Sequence, residues 1–354
     1  MQVYVHGGDV YSARERLKGP ILDFSANINP LGMPPAVQQA ARAAIGESIC
    51  YPDPFCRKLT AAIAEKEAVP QDWLICGNGA ADLIFRLVWA VQPQRALLVA
   101  PGFAEYEQAL KSVHCQIVYH HLQPETEFAV TEALLPLLTA DLDMIFLCNP
   151  NNPTGQVIPP ELLQSILRRC QENHILVTLD ECFGDFLAEP AYYSMKSKLP
   201  HVPNLFLLKA FTKLYGMAGL RLGYGMTANA KLLTQMHQNS QPWSVSTPAQ
   251  AAGIQALQED DFVEQTRVLI QTERQYLKES LLQLGWPVWG SWANYIFFRA
   301  QPDLAKTLEE EGILIRDCRN YLGLSPGYFR IAVRLHEENR QLLQAMERIK
   351  KKGL

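Results

Sequence analysis

The chain has 354 residues, 48% of them hydrophobic and 19% charged, and a net charge of −4 with no basic block. These values are ordinary for a soluble globular protein and argue against a nucleic-acid-binding function. No apolar run is long enough to span a bilayer, and residues 1–19 have no apolar core of signal-peptide length. The length corresponds to about two domains.

The eight cysteines are scattered along the chain and form no C-x-x-C pair. Their spacing therefore predicts neither a metal site nor a redox pair. Some lie in apolar runs, as Cys76 and Cys148 do, where a reduced cysteine packs as a small hydrophobic residue. A reducing cytoplasm is the expected location, because free thiols persist there.

Short apolar runs alternate with helical patterns from residue 70 onward. Because these runs are apolar at nearly every position, we predict parallel strands that are buried on both faces. An amphipathic pattern at residues 161–173 predicts a helix between two of them. The alternation predicts an α/β domain with a mostly parallel central sheet. The apolar runs cover residues 73–76, 96–99, 144–147, 175–179 and 205–208.

The last third of the chain has a different pattern. Two helical stretches are followed by two apolar, strand-like runs in a hairpin-like arrangement, which cover residues 247–257, 261–284, 294–298 and 328–333. We interpret this part, joined by the N-terminal segment, as a second, smaller α+β domain. The predicted boundaries are 45–240 for the large domain and 1–44 plus 241–354 for the small one.

Segments that are polar or contain glycine or proline follow most of the predicted strands. In open α/β sheets, ligands bind at the carboxyl ends of the strands. The unusual residues of the chain are therefore expected at one edge of the sheet. The segments cover residues 77–79, 101–103, 149–155, 180–181 and 209–213.

Two of these segments have both a structural and a functional interpretation. Residues 77–79, Gly-Asn-Gly, precede a predicted helix, whose first N–H groups could bind an anion, although most such sequences are only turns. Residues 149–155, Asn-Pro-Asn-Asn-Pro-Thr-Gly, have the composition of a stiff loop. Three amides at a strand end are more than a turn needs, which favours a functional loop.

Three charged residues are candidates for chemistry. Asp180 ends a buried strand, where it is either a helix cap or the counter-ion of a ligand cation such as a protonated pyridine nitrogen. Lys213 follows another buried strand and precedes a glycine-rich apolar stretch. Most lysines are exposed, but one held in such a place can lose its proton and act as a nucleophile. Arg221, eight residues on, could hold a phosphate.

These motifs, in their order and spacing, resemble those of the fold-type-I pyridoxal 5′-phosphate (PLP) enzymes, the class I and II aminotransferases, over essentially the whole chain. The resemblance implies that Lys213 binds PLP as a Schiff base and that Asp180 pairs with the pyridinium nitrogen. It also implies that Asn152 hydrogen-bonds the 3′-oxygen and that Phe103 stacks on the ring. Around the phosphate it places Gly79, Ala80, Ala81, Thr212 and Arg221, with Tyr51 reaching the cofactor of the neighbouring subunit in a homodimer.

Within this superfamily, several segments resemble those of the threonine-phosphate decarboxylases of cobalamin biosynthesis, which are relatives of histidinol-phosphate aminotransferase. The segments include His6-Gly7-Gly8 and residues 22–32, 101–106, 242–245, 313–318 and 328–334. The resemblance implies a PLP-dependent lyase that acts on a small phospho-amino acid and converts O-phospho-L-threonine to 1-amino-2-propanol phosphate. The residues implied to contact the substrate are His6, Gly7, Asn27, Asn152, Arg316 and Arg330.

Alternatives to this function stay open at the level of the sequence. Phosphoserine is a possible substrate, because one methyl group provides only about 1–3 kcal/mol of discrimination. A histidinol-phosphate-type aminotransferase is the second candidate, and a PLP-fold protein that binds a ligand without turnover is the third. The intact Lys213, Asp180 and Arg221 argue against the third.

Three positions depart from the pattern of the relatives. Ala210 replaces a serine that commonly bonds the PLP phosphate, so one hydrogen bond is missing. Phe183 replaces the tyrosine that bonds the 3′-oxygen in aminotransferases, as expected in the decarboxylase group. Met217-Ala218 replaces the Ile-Pro that is common in the decarboxylase group and is more typical of an aminotransferase.

Overall fold

The computed structural model describes residues 6–17 and 19–351, and within these ranges the strands form three sheets. The strands are β1 (Leu22–Asp23), β2 (Leu74–Gly77), β3 (Arg95–Ala100), β4 (Gln116–His121), β5 (Met144–Cys148), β6 (Leu176–Asp180), β7 (Leu205–Ala210), β8 (Gly223–Met226), β9 (Val288–Trp289), β10 (Tyr295–Arg299), β11 (Ile313–Leu314), β12 (Arg316–Asp317) and β13 (Tyr328–Ala332).

The helices lie mostly between the strands. They are α1 (Val10–Arg16), α2 (Pro35–Ala44), α3 (Arg57–Glu67), α4 (Ala80–Val91), α5 (Ala104–Ser112), α6 (Pro160–Glu172), α7 (Pro190–Tyr193), α8 (Phe211–Leu214), α9 (Ala230–Gln238), α10 (Thr247–Ala256), α11 (Asp260–Gln283), α12 (Leu304–Glu310) and α13 (His336–Lys351). Short 3-10 helices cover Ile45–Ile49, Gln71–Trp73, Pro124–Thr126, Glu132–Leu137, Gly184–Phe186 and Lys196–His201.

The central sheet has seven strands in the order β2-β8-β7-β6-β5-β3-β4. Strands β7, β6, β5, β3 and β4 pair in parallel, whereas β8 runs antiparallel to both of its neighbours. All five apolar runs predicted as strands belong to this sheet and run in the same direction. The α/β class with a mostly parallel central sheet is therefore confirmed.

Strand β8 was not predicted, because Gly223-Tyr224-Gly225-Met226 lacks the apolar run that identifies a buried strand. The glycines are required by the packing. A Cβ atom on Gly225 would lie 2.1 Å from Cζ of Phe206, whose ring covers the strand. The edge strand β4 was missed for another reason: its half-buried residues include polar side chains.

The two faces of the sheet carry separate hydrophobic clusters. Leu97 and Ile145 belong to the cluster on one face, and their neighbours Leu98 and Phe146 belong to the cluster on the other. This assignment follows from the alternation of side chains along a strand. Burial on both faces explains why the sequence of these strands is continuously apolar.

A four-stranded sheet, in the order β12-β13-β10-β9, is built from the last part of the chain. Strands β10 and β13 pair antiparallel, from Tyr295 opposite Ala332 to Arg299 opposite Tyr328. They do not form a hairpin, because α12, β11 and β12 separate them along the chain. The N-terminal β1 pairs in parallel with β11 and so joins this sheet region. The predicted domain boundaries at residues 44 and 240 stay a prediction.

Within the described residues, no helix combines the length and the apolar composition that crossing a membrane requires. All eight cysteines are free thiols. The cytoplasmic location expected from the sequence stays a prediction.

Candidate active site

A cavity of about 350 Å³ opens at the carboxyl ends of the central strands. It gathers side chains from the N-terminal segment, the central sheet and the four-stranded sheet. Of the residues that the sequence analysis assigned to a site, those that line the cavity are His6, Gly7, Asn27, Ala80, Ala81, Phe103, Asn152, Asp180, Thr212, Lys213, Arg221, Arg316 and Arg330.

One end of the cavity is suited to an anion. Gly79 has φ of +82° and immediately precedes α4, whose first N–H groups belong to Ala80 and Ala81. The guanidinium of Arg221 lies against this turn, and a Cβ atom on Gly79 would be only 2.5 Å from Nη2. Glycine therefore lets a cation approach a helix N-terminus, and the two together form an anion cradle. The buried Thr212 lies on the same cavity wall.

Asp180 lines the same cavity from the last position of β6. Its Oδ2 accepts a hydrogen bond of 2.6 Å from the hydroxyl of Tyr106, and Oδ1 accepts one of 2.9 Å from the backbone N–H of Cys182. Burial raises the pKa of Asp180 above its ordinary value, against the opposing effect of these bonds. A cationic ligand atom would favour the charged carboxylate, which these two donors hold in place.

Tyr106 was missed by the sequence analysis, although it fixes Asp180. Its ring is buried on α5 and stacks on Phe146, with 4.8 Å between the centroids. No sequence signal identifies this contact, because the tyrosine lies 74 residues before its partner and occupies an ordinary helix position.

Lys213 lies on the short helix α8, directly after β7. Burial, and then the positive charges of Arg330 and Arg221, lower the pKa of Lys213 to about 8. The backbone around it is held by Asn29, whose N–H donates to the carbonyl of Lys213 at 3.1 Å and whose Nδ2 donates to the carbonyl of Leu214 at 2.6 Å. The backbone that carries Lys213 is thus fixed, and its amine is partly neutral near physiological pH.

Lys209, four residues earlier, has a different environment. Its Nζ is 3.1 Å from Oε1 of Glu67 and 3.0 Å from Oδ1 of Asp185. These carboxylates more than offset the effect of burial and raise the pKa of Lys209 well above its ordinary value. Lys209 is therefore a permanently charged partner of Glu67, and Lys213 is the nucleophile candidate.

Two arginines stand side by side on the wall contributed by the four-stranded sheet. Arg316 on β12 is directly opposite Arg330 on β13, and both line the cavity. Arg330 donates from Nη1 to Oδ1 of Asn152 and from Nη2 to the carbonyl of Ser25 at 2.8 Å, and its buried Nε has no partner. Like charges opposite each other on neighbouring strands are unfavourable, and an anion between them would remove the repulsion.

Asn27 lies on the same wall and is 2% exposed. Neither its Nδ2 nor its Oδ1 has a hydrogen-bond partner. The segment before it folds back closely: a Cβ atom on Gly7 would lie 2.1 Å from the carbonyl oxygen of Ser25, so only glycine fits there. A buried amide without partners is costly, and a bound ligand would satisfy it.

Tyr51 does not line the cavity. It is 79% exposed, and its ring stacks on Trp243 with 4.4 Å between the centroids. Other exposed apolar side chains occur nearby in the sequence, namely Ile45, Ile49 and Phe55. The assignment of Tyr51 to the site of a second subunit stays a prediction.

Two of the three departures from the family pattern, Phe183 and Ala210, face the cavity as well. Phe183 lines it and meets Tyr295 edge-to-face, with 5.0 Å between the ring centroids. Ala210 lines it at the end of β7 and offers no side-chain donor there. Met217 is buried in the core behind the site. Across the described part of the chain, no group of three or more His, Cys, Asp or Glu side chains could hold a metal ion.

Known proteins share both the sequence pattern and the fold. Residues 19–349 match the family aminotransferase class I and II. The chain is 38% identical to threonine-phosphate decarboxylase of Salmonella typhimurium (strain LT2), over 97% of this chain and 96% of that protein. It is 32% identical to histidinol-phosphate aminotransferase 1 of Cupriavidus pinatubonensis, over 93% of this chain and 88% of that protein. The crystal structure of histidinol-phosphate aminotransferase from Sinorhizobium meliloti in complex with pyridoxal-5′-phosphate matches with a TM-score of 0.86 and 22% identity, covering 98% of this chain and 95% of that chain.

Proposed function

Because this chain belongs to the class I and II aminotransferases, whose cofactor is PLP, we propose that it decarboxylates O-phospho-L-threonine. The product would be 1-amino-2-propanol phosphate, which makes the enzyme a lyase of cobalamin biosynthesis. Similarity to the Salmonella threonine-phosphate decarboxylase over nearly the whole chain supports this substrate. Phosphoserine is the close competitor.

The cavity has a group for each part of the cofactor. The buried carboxylate of Asp180 suits the protonated ring nitrogen, and the amine of Lys213, with its lowered pKa, suits the aldehyde. The guanidinium of Arg221 at the start of α4 suits the phosphate, and Gly79 keeps that cradle open. Phe103 would cover the ring.

The observation that carries the substrate proposal is the pair Arg316 and Arg330, opposite each other in the wall that faces Lys213. The cofactor's own phosphate is assigned to Arg221. The arginine pair, whose members also donate hydrogen bonds within the protein, can therefore bind a second anionic molecule. A phospho-amino acid brings a phosphate and a carboxylate. Asn27, with both amide atoms unpartnered, adds a neutral hydrogen-bonding group to the same wall.

The residues of the cavity wall that carries Arg316, Arg330 and Asn27 decide which bond at the substrate's Cα breaks. PLP, when bound, draws electrons from Cα and so allows a bond there to be cleaved. If the phosphate is bound by the arginine pair, the carboxylate would be placed by the neutral amide of Asn27, which would not stabilise its charge as a bidentate arginine would. Carbon dioxide can then leave, and Lys213, whose pKa is about 8, can donate a proton to Cα.

The test is product analysis with O-phospho-L-threonine and the purified holoenzyme. Carbon dioxide and 1-amino-2-propanol phosphate should form with no keto acid present, and the cofactor should remain PLP. L-Threonine, which lacks the phosphate, is the matched control and should react poorly. O-Phospho-L-serine lacks one methyl group and should be slower by roughly 10–200-fold.

Histidinol-phosphate transamination is the second candidate. Two observations favour it: the identity to the Cupriavidus aminotransferase, and Met217-Ala218 in place of the Ile-Pro common in the decarboxylase group. Its signature is stoichiometric conversion of the cofactor to the pyridoxamine form, with turnover only after 2-oxoglutarate is added. That outcome would assign the enzyme to the aminotransferases and end the decarboxylase proposal.

Replacing Ala210 by serine should tighten PLP binding. Ala210 faces the cavity at the end of β7, where a hydroxyl could donate to the cofactor's phosphate. The gain expected is at most about 1.5–3 kcal/mol, the net contribution of a hydrogen bond to a charged group. Equilibrium dialysis of PLP against the two proteins measures it, and equal affinities would mean that another group already fills this place.

We propose that the active enzyme is a homodimer in which Tyr51 reaches the cofactor of the other subunit. The exposed stack of Tyr51 on Trp243 offers an apolar surface for such a contact. Mixing Tyr51→Phe with Lys213→Ala subunits should then restore activity above the sum of the separate variants, because one site of the mixed dimer has both native residues. Full activity in a protein diluted to monomers would refute the shared site.

A further inference from the structure

Glu105 is an acidic residue that lines the cavity and, unlike Asp180, is not assigned to the cofactor. It is the second residue of α5 and follows Phe103 by two positions. The cavity also contains Lys213, Arg221 and the arginine pair. A substrate with two anionic groups would be repelled by a carboxylate here, so the position of Glu105 requires a reason.

The two oxygens of Glu105 have different environments. Oε1 is 2.8 Å from Nε2 of His6, which lines the same cavity. Oε2 is inaccessible to solvent and has no hydrogen-bond partner. The carboxylate lies in the first turn of its helix, where the helix dipole stabilises negative charge. The side chain of Glu105 is thus aimed at one group, the imidazole of His6.

We propose that Glu105 is a positioning residue that holds His6 for the phosphate of the substrate; this rests on the proposed function. A carboxylate that accepts the Nε2–H of an imidazole fixes the rotation of the ring. An acidic partner also polarises the ring, as the aspartate of a catalytic triad does for its histidine. The ring of His6, which lines the cavity, is thereby held towards the ligand.

The test is kinetic analysis of the Glu105→Gln holoenzyme. Glutamine keeps an acceptor for His6 but lacks the charge. KM for O-phospho-L-threonine should rise about tenfold while kcat stays within about twofold, because the lost interaction is a charge-assisted one made in binding. Glu107→Gln is the matched control, since Glu107 lies on the same helix but pairs with Lys111.

A double-mutant cycle separates positioning from a general effect on the site. His6→Asn should raise KM by a similar factor, and His6→Asn/Glu105→Gln should be no worse than His6→Asn alone. Inorganic phosphate, titrated calorimetrically into the holoenzyme, should bind more weakly to Glu105→Gln than to wild type. That measurement tests Glu105 even if phosphothreonine is not turned over, so its outcome is independent of the proposed function.

Three results would overturn the proposal. Additive effects in the cycle would mean that Glu105 does not act through His6. A loss of kcat with unchanged KM would place Glu105 at the reacting atoms. Unchanged phosphate affinity in Glu105→Gln, with an unchanged melting temperature, would show that His6 needs no acidic partner to bind phosphate.

Discussion

Replacement of Lys213 by alanine is expected to abolish the borohydride-reducible bond between the protein and PLP and to lower turnover by roughly 10³-fold or more. The lysine has two tasks in the proposed reaction: it holds the cofactor and it returns a proton to Cα. Both need an amine that can lose its proton, and burial together with the charges of Arg330 and Arg221 lowers its pKa to about 8. Visible absorbance and peptide mass after borohydride treatment measure the loss.

Lys209→Ala is the control for this experiment. Because Lys209 is ion-paired with Glu67 and Asp185, its removal should leave the adduct on Lys213 in place. Stability should fall, since Glu67 is 7% exposed and would lose one of its cationic partners. An adduct that maps to Lys209 in wild-type protein would contradict the assignment of the nucleophile.

The same pKa gives the pH dependence of cofactor binding. The amine attacks the aldehyde only when neutral, so the rate of covalent PLP incorporation into the apoprotein should fall as the pH drops below about 8. At higher pH the rate should reach a plateau. Arg330→Met removes a positive neighbour that lowers the pKa of Lys213, so it should move the midpoint upward.

Much of the fold could be predicted because strands that are buried on both faces have continuously apolar sequences. Strands β3, β5, β6 and β7 are covered on both faces, and their apolar runs follow from that. Strand β8 has no such apolar run. Gly225 is required by the close approach of Phe206, but in the sequence a glycine is typical of a turn. The strand pairs antiparallel with β7, which precedes it in the chain, and with β2, which is distant in the chain.

The candidate site divides in a similar way. Asp180 and Lys213 were identifiable because a charge directly after a buried strand is unusual. Tyr106 and Glu105 were not, because each acts through a partner that only the fold brings near, Asp180 in one case and His6 in the other. On a helix surface their sequence positions look ordinary. A residue that acts only by contacting another site residue is difficult to identify from a single sequence.

Arg330→Lys is expected to lower kcat/KM for the phospho-amino acid by about a hundredfold, although it keeps the positive charge. The guanidinium makes several contacts at once: it donates to Asn152 and to the carbonyl of Ser25, and it lies over the ring of Tyr295. Its buried Nε remains available to a ligand. An ammonium group cannot reproduce this planar set of donors.

The matched control is Arg319→Lys, because Arg319 follows β12, pairs with Asp317 and does not line the cavity. It should leave kcat/KM unchanged. If Arg330→Lys and Arg330→Met lower kcat/KM equally, the charge of lysine contributes nothing at this site. If Arg330→Lys keeps the wild-type kcat/KM, charge alone suffices. The second outcome would show that the planar geometry of Arg330 is not required. A point charge would then bind the substrate no less tightly than the guanidinium, which also donates to Asn152.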